Sequence, residues 1–94
     1  MKITGFIWIG EFVDKLESKH NVYPEEVEQL FANNPKILKL NRGKFRGEDV
    51  FRALGRTEEG RYLVVFFIRK RTNEAITISA RDMDAKERRS YAKK

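Results

Sequence analysis

The spacing of apolar residues at the start of the chain predicts a strand followed by a helix. The strand is indicated by a run of bulky residues, namely Ile3, Phe6, Ile7, Trp8 and Ile9. Phe12 and Leu16 then stand four residues apart, which favours a short helix with one apolar stripe. Asn21 follows this stripe and is a residue that can end a helix in the left-handed conformation.

A second helix is predicted from Pro24, because proline suits the first helical turn. Glu25 and Glu26 follow it, and carboxylates there complement the positive end of the helix dipole. The apolar positions of this helix are Tyr23, Val27, Leu30 and Phe31. We expect the segment Asn33-Asn34-Pro35 to end it.

The remainder of the chain predicts strands, and then one last helix. The expected strands are 36–40, 50–56, 62–69 and 75–80, with 41–49 as a glycine-containing loop and 57–60 as a hairpin turn. Residues 63–68 are all apolar, so their strand is expected at the centre of the sheet. Asp84 precedes Glu87 by three residues, a capping-box spacing that begins a helix. Its apolar content is only Ala85, Tyr91 and Ala92, so we expect weak docking.

Length and composition favour one small domain spanning residues 1–94, with 40% hydrophobic residues and no cysteine. No segment approaches the ~20 apolar residues that cross a bilayer, so no membrane association is expected. The N-terminus also lacks the apolar run of a signal peptide, and a cytoplasmic location is the simple expectation. No cofactor motif or metal-ligand spacing occurs, so we expect neither a metal nor a small-molecule cofactor.

The positive charge of the chain is concentrated in its second part. Residues 1–40 contain five lysines and six acidic residues, whereas residues 41–94 contain fifteen basic and eight acidic residues. All ten arginines lie in this second part. Arginine suits phosphate oxygens, and a one-sided basic surface attracts polyanions, so nucleic acid is one expected partner. A solvated surface that only keeps the protein in solution is the alternative.

A set of short motifs runs through the chain, namely Trp8, Lys19-His20, Val22, Glu25-Glu26, Ala53-Leu54-Gly55-Arg56-Thr57, Gly60-Arg61, Ile78-Ser79-Ala80-Arg81, Glu87-Arg88-Arg89 and Tyr91. Together these motifs resemble those of the BrnT-like ribonuclease toxins of bacterial toxin–antitoxin pairs. They run in the family's order along nearly the whole chain. Two positions depart from the family's pattern: Ile9 stands where an Asp usually follows the tryptophan, and the Asn that often precedes the Lys-His pair is missing.

The resemblance implies a RelE-like α+β fold, metal-independent cleavage of RNA, and neutralisation by a cognate antitoxin protein. In that fold we expect a largely antiparallel, twisted sheet of four to five strands. Two helices from the N-terminal region would lie on one face, and a short helix would follow at the C-terminus. Two other classes stay open, namely a non-catalytic nucleic-acid-binding domain and an interaction module for an acidic partner protein.

Arg81 is the expected phosphate-binding residue, because it ends a strand beside a helix start and is predicted to share a polar face with Thr77 and Ser79. Alternatively, it pairs with Asp82, Asp84 or Glu87 and fixes the helix. His20, the only histidine, is a candidate acid or base, with Lys19 as an electrostatic stabiliser. Capping of the first helix is the alternative role for His20.

The last helix and two basic segments supply the other candidate residues. Glu87 is a candidate base, Arg88 a charge stabiliser, and Tyr91 a proton donor or stacking group. Glu87 can instead complete the capping box, and Tyr91 can anchor the helix. The candidate RNA-binding residues are Arg42, Lys44, Phe45 and Arg46 in the segment 41–49, with Arg52 and Arg61 near the central hairpin.

Overall fold

The computed structural model describes residues 1–93 and contains five strands and three helices. In chain order they are β1 (Gly5–Ile7), α1 (Gly10–His20), α2 (Pro24–Ala32), β2 (Lys36–Phe45), β3 (Glu48–Arg56), β4 (Tyr62–Arg69), β5 (Glu74–Asp82) and α3 (Ala85–Ala92). The strands form one sheet in the order β1-β5-β4-β3-β2. The predicted α+β class and the central position of β4 are therefore confirmed.

The sheet is mixed, because β1 runs parallel to β5 while the other three neighbouring pairs are antiparallel. Its two faces carry separate apolar clusters. Leu16, Val22, Val27 and Leu30 from the α1–α2 region pack against one face, where Phe67 is fully buried. Leu54, Val64 and Met83 form a smaller cluster on the opposite face, and Tyr91 of α3 packs against it. We call these the α1–α2 face and the α3 face.

The segment 41–49, which the sequence predicted as a loop, is instead a β-hairpin. β2 continues to Phe45, which pairs with Glu48, so only Arg46 and Gly47 form the turn. Their φ angles of 52° and 82° are both positive, as the tight turns that match strand twist require. A register shift between Lys39 and Lys44 interrupts the ladder, and this irregularity concealed the strand from a simple alternation pattern.

A β-bulge in β5 changes which side chains share a face of that strand, so the polar face differs from the predicted one. Thr77 pairs with Phe67 and Ser79 with Phe66, so Ile78 is an extra residue between them. The alternation of side chains is thereby shifted by one position. Thr77 is buried on the α1–α2 face, whereas Ser79 and Arg81 lie on the α3 face. The prediction that Thr77 shares a face with Arg81 was wrong.

The ends of the helices follow their local sequence signals. Asn21 has a φ of 54° and ends α1 in the left-handed conformation, as predicted. The capping box of α3 is also confirmed, because the Glu87 amide donates to Asp84 Oδ1 at 2.8 Å and the Asp84 amide donates to Glu87 Oε1 at 2.9 Å. Between residues 1 and 93, no helix has the length and apolar character needed to cross a membrane.

Candidate functional site

Arg81 and Glu87 form a two-point ion pair on the α3 face. Arg81 Nη1 donates to Glu87 Oε1 at 2.7 Å, and Nη2 donates to Oε2 at 2.9 Å. The Arg81 side chain is 38% exposed and that of Glu87 only 10% exposed. The hydrogen bonds from Arg81 hold the pKa of Glu87 below its ordinary range, so this carboxyl is ionised at neutral pH. The arginine is therefore fixed in place while part of its side chain stays exposed.

A second cation lies beside this pair. Arg52 and Phe66 are cross-strand partners, and Ser79 pairs with Phe66 on its other side, so the three form one row on the α3 face. The Arg81 guanidinium stands 5.6 Å from the centre of the Phe66 ring. The charge of Arg52 also contributes to the lowered pKa of Glu87, which indicates that the two groups are close.

A cavity of about 270 Å³ opens between the sheet and α3 beside these residues. It is lined by Arg52, Leu54, Asp84, Lys86, Glu87 and Ser90. The Nε atom of Arg52 is buried and has no hydrogen-bond partner in the described part of the chain. A buried donor without a partner is costly, so a ligand oxygen that reached this atom would be stabilised. We call Arg52, Arg81, Glu87 and this cavity the arginine site.

His20 and Lys19 lie at the same end of the sheet as Arg81 but at its α1–α2 face. Both are exposed in the last turn of α1. His20 is among the groups whose charge lowers the pKa of Asp82, after the larger effect of Arg61. His20 therefore lies within electrostatic range of the end of β5. Because Asp82 is paired with Leu63 of the α1–α2 face, the side chains of His20 and Arg81 stand on opposite sides of this sheet edge.

Arg61 joins three elements at this edge. Its Nε donates to Asp82 Oδ1 at 2.7 Å, and its Nη1 donates to Glu26 at 3.1 Å. Nη1 and Nη2 also donate to the carbonyls of Asn21 and His20, at 2.7 and 3.1 Å. Every nitrogen of this guanidinium thus has a protein acceptor. The arrangement binds the end of α1 to α2 and β5, and RNA binding by Arg61 stays a prediction.

The candidate residues of the segment 41–49 occupy the β2–β3 hairpin. Arg46 lies 5.1 Å from the centre of the Phe45 ring and 3.6 Å from a carboxylate oxygen of Glu11. Lys44 binds Asp49 at 2.6 Å, and Arg42 is exposed with a φ of 60°. This hairpin tip is at the β2 edge of the sheet and is not part of the arginine site.

Arg88 and Tyr91 contact Tyr62, a residue that sequence reasoning did not single out. The Arg88 guanidinium carbon is 4.0 Å from the centre of the Tyr62 ring, and the Tyr91 ring meets it edge-on at 6.1 Å. Arg56, which was named only as part of a motif and not as a site residue, lies 5.0 Å from the same ring. The predicted hairpin 57–60 is the sequence feature that could have identified both Tyr62 and Arg56, because a tight turn there places the two residues opposite each other.

Fold and site together define an α+β protein with an arginine-lined face on its sheet. The sequence model of one family, described as "Ribonuclease toxin, BrnT, of type II toxin-antitoxin system", matches residues 13–87. The chain belongs to this family of ribonuclease toxins, as its motifs indicated. No match was found among curated proteins. Within residues 1–93, no three His, Asp or Glu side chains are grouped to hold a metal ion.

Proposed function

We propose that this chain is a metal-independent endoribonuclease and the toxin of a toxin–antitoxin pair. The observation that carries the proposal is the arginine site, where Arg81 is held by Glu87 beside Arg52 and a cavity. Membership of a family of ribonuclease toxins of type II systems supports an RNA substrate and an antitoxin partner. The finer proposal concerns how these residues act on RNA.

The proposed reaction is attack by a ribose 2′-hydroxyl on the neighbouring phosphorus. The 2′-oxygen loses its proton and bonds to phosphorus, and the bond to the 5′-oxygen breaks, leaving a cyclic phosphate and a free 5′-hydroxyl. Negative charge grows on the phosphoryl oxygens during this step, and fixed cations lower its free energy. Arg81 and Arg52 are the proposed cations. Glu87 occupies Nη1 and one proton of Nη2 of Arg81, whereas the Nε atoms of both arginines have no protein acceptor within residues 1–93. The Nε and Nη2 edge of a guanidinium can bind two phosphate oxygens at once.

The proton transfers are assigned to His20, with Lys19 as a stabilising charge. His20 and Arg81 stand on opposite sides of the end of β5, so we propose that the RNA backbone crosses this strand end and brings the cleaved bond to both. An imidazole titrates near neutral pH and can both accept and donate a proton. Glu87 is less suited to be the base, because the hydrogen bonds from Arg81 lower its pKa and so weaken its affinity for a proton. We assign Glu87 the role of positioning Arg81. Arg88 and Tyr91 both contact the Tyr62 ring, and we assign them to contacts with RNA.

RNA beyond the cleaved bond is proposed to follow the hairpin tip. There Arg42, Lys44 and Arg46 supply positive charge around Phe45, a combination that suits single strands. Arg61 is proposed to act indirectly, by holding Asp82 and the end of α1.

A RelE-like fold is also part of the proposal. It is supported by the five-stranded sheet with α1 and α2 packed on one face. The antitoxin is proposed to bind near α3, because Glu87 is the only buried residue of that helix and its N-terminal turn adjoins the arginine site. An acidic antitoxin segment would compete with phosphate there.

A non-catalytic role is the second candidate function. It is favoured by the pairing of Arg61 and Arg81 with carboxylates, which neutralises two cations that catalysis would use. In that case the chain binds RNA or an acidic protein without cutting RNA.

The test is incubation of the purified protein with labelled RNA in EDTA, followed by analysis of the product ends. Cyclic-phosphate ends that disappear in Arg81→Ala and His20→Ala support the proposal. Arg71→Ala is the matched control, because Arg71 is exposed in the β4–β5 turn, roughly 20 Å along the sheet from Arg81. RNA binding without cleavage supports the second candidate, and equal loss in all three variants contradicts the assigned site.

A further inference from the structure

Tyr62 is the centre of a group of stacked side chains on the α3 face, beside Arg88 of α3. The Arg88 guanidinium lies over its ring at 4.0 Å, within the distance of a cation–π contact. Arg56 approaches the same ring to 5.0 Å, and Tyr91 meets it edge-on. Glu87 and Arg88 are consecutive in the helix, so their side chains leave it about 100° apart.

A depression of about 350 Å³ lies against this group, which is within the range of small-ligand sites. It is lined by Arg56, Tyr62, Arg88, Arg89, Tyr91 and Ala92. A neighbouring depression shares Arg56 and Tyr91 with it and also contains Glu58. We call the first depression the arginine–tyrosine pocket.

The arginines of this pocket differ from those already described in their pairing. Arg61 and Arg81 are bound to carboxylates, whereas Arg56, Arg88 and Arg89 form no ion pair within residues 1–93. The pocket therefore combines three uncompensated positive charges with aromatic surface. Positive charge alone suits any anion, but flat stacked groups add a preference for planar ligands.

We propose that the arginine–tyrosine pocket binds one nucleotide of single-stranded RNA. Its base stacks on the outer face of the Arg88 guanidinium, which Tyr62 supports from below, and its phosphate binds Arg56 and Arg89. Stacking of bases on arginine planes and aromatic rings is a common mode of single-strand recognition. An acidic peptide would use the three charges and leave the stacked planes without a partner, so RNA is the better fit.

The position of the pocket relates it to the arginine site, and the inference rests on the proposed function. Tyr62 and Phe66 lie on the same face of β4, four residues or about 13 Å apart. Arg88 is stacked on Tyr62, and Arg81 lies over Phe66. One strand of RNA can therefore reach both sites, so the pocket holds a nucleotide next to the cleaved bond and sets a preference for the base bound there.

The test measures binding separately from cleavage. A fluorescein-labelled 2′-O-methyl RNA of roughly ten nucleotides cannot be cut, because it lacks the attacking hydroxyl, and its binding is followed by anisotropy. We expect Arg88→Gln to weaken binding roughly tenfold or more, since stacking contributes about this much per base. Arg88→Lys keeps the charge and loses the plane, so it should weaken binding as well. Arg56→Gln should lower the slope of log affinity against log salt by about 0.7.

Arg71→Gln is the control for loss of one exposed positive charge, and thermal melting of each variant shows whether it is folded. Equal binding by Arg88→Gln and Arg71→Gln would overturn the inference, and so would full affinity in Arg88→Lys. If Arg88→Gln loses binding to polyglutamate but keeps its affinity for RNA, the pocket binds an acidic protein, and the inference is overturned as well. If the wild-type protein binds the uncut RNA through Arg88 but cleaves no RNA in EDTA, the pocket stands and the proposed catalysis fails.

Discussion

Arg81 and Asp82 are consecutive residues that form ion pairs on opposite faces of the sheet. Arg81 binds Glu87 of α3 on one face, and Asp82 binds Arg61 beside the ends of α1 and α2 on the other. Arg81 Nη1 also donates to the Asp82 carbonyl at 3.2 Å, which links the two pairs through the backbone. The end of β5 is thus fixed from both sides, and a change in one pair is expected to affect the other.

Arg61→Gln should lower the free energy of unfolding by about 2 kcal/mol. The substitution removes the contacts with Glu26, Asp82 and the two carbonyls at the end of α1, and the partly buried Glu26 is left without its cation. We discount the contact with Asp82, because that side chain is 65% exposed and water screens it. Urea unfolding measures the change, with Arg71→Gln as the control. A loss no larger than that of the control would show that Arg61 is not a structural link.

The free energy of unfolding should fall at acidic pH, in a pH range that the lowered pKa values of Glu87 and Asp82 determine. Arg81 lowers the pKa of Glu87 and Arg61 lowers the pKa of Asp82, so at low pH the unfolded chain binds more protons than the folded one. The stabilisation is complete above the ordinary values of 4.5 and 3.8 and is lost as the pH falls through the lowered values. The urea midpoint should therefore fall as the pH decreases below about 4.5.

Glu87→Gln tests the source of this acid sensitivity. It removes one of the two carboxylates, so the fall in the urea midpoint below pH 4.5 should become shallower. Glu59→Gln removes the same charge from the exposed β3–β4 turn and is the matched control. An unchanged pH dependence in Glu87→Gln would contradict the stabilising role of the pair with Arg81.

Gly55→Ala should destabilise the protein by about 1–3 kcal/mol. A Cβ atom at Gly55 of β3 would come within 2.8 Å of Leu30 Cγ, and Leu30 of α2 is fully buried and cannot move freely. Gly10→Ala is the control, since its Cβ would meet nothing within 4 Å at the start of α1. The difference between the two melting temperatures measures the cost of the close approach of α2 to the sheet. Similar melting temperatures would show that α2 can shift.

Local sequence signals predicted the helices well, whereas the β2–β3 hairpin depends on strand pairing that local patterns do not show. Asn21 and the Asp84–Glu87 spacing act within a few residues, so their effect is visible in the sequence. Arg46 adopts a positive φ in a turn that favours Asn or Gly at its position, because the pairing of the flanking strands overrides its own preference. For this reason the segment 41–49 was predicted as a loop.

The candidate site shows the same division between local and distant contacts. The pairing of Arg81 with Glu87 spans six residues, and the sequence already offered it as an alternative. Arg61 instead meets Asp82 and Glu26, which are 21 and 35 residues away in the chain. No periodicity encodes such pairs, since they depend on how α1 and α2 pack on the sheet. The bulge at Ile78, which moves Thr77 to the other face, was hidden for the same reason.

Arg81→Lys separates the binding of two phosphate oxygens by Arg81 from the effect of its positive charge. Lysine keeps the positive charge but cannot bind two oxygens at once, so RNA cleavage in EDTA should fall roughly 100-fold, similar to the loss of one transition-state donor. Binding of uncut 2′-O-methyl RNA should change much less, because most of the charge attraction remains. Glu87→Gln should lower cleavage less than Arg81→Lys and leave the acid limb of the pH–rate profile in place, since Glu87 positions Arg81 and does not accept the proton. An acid limb that disappears in Glu87→Gln would instead identify Glu87 as the base, and His20 would lose that role.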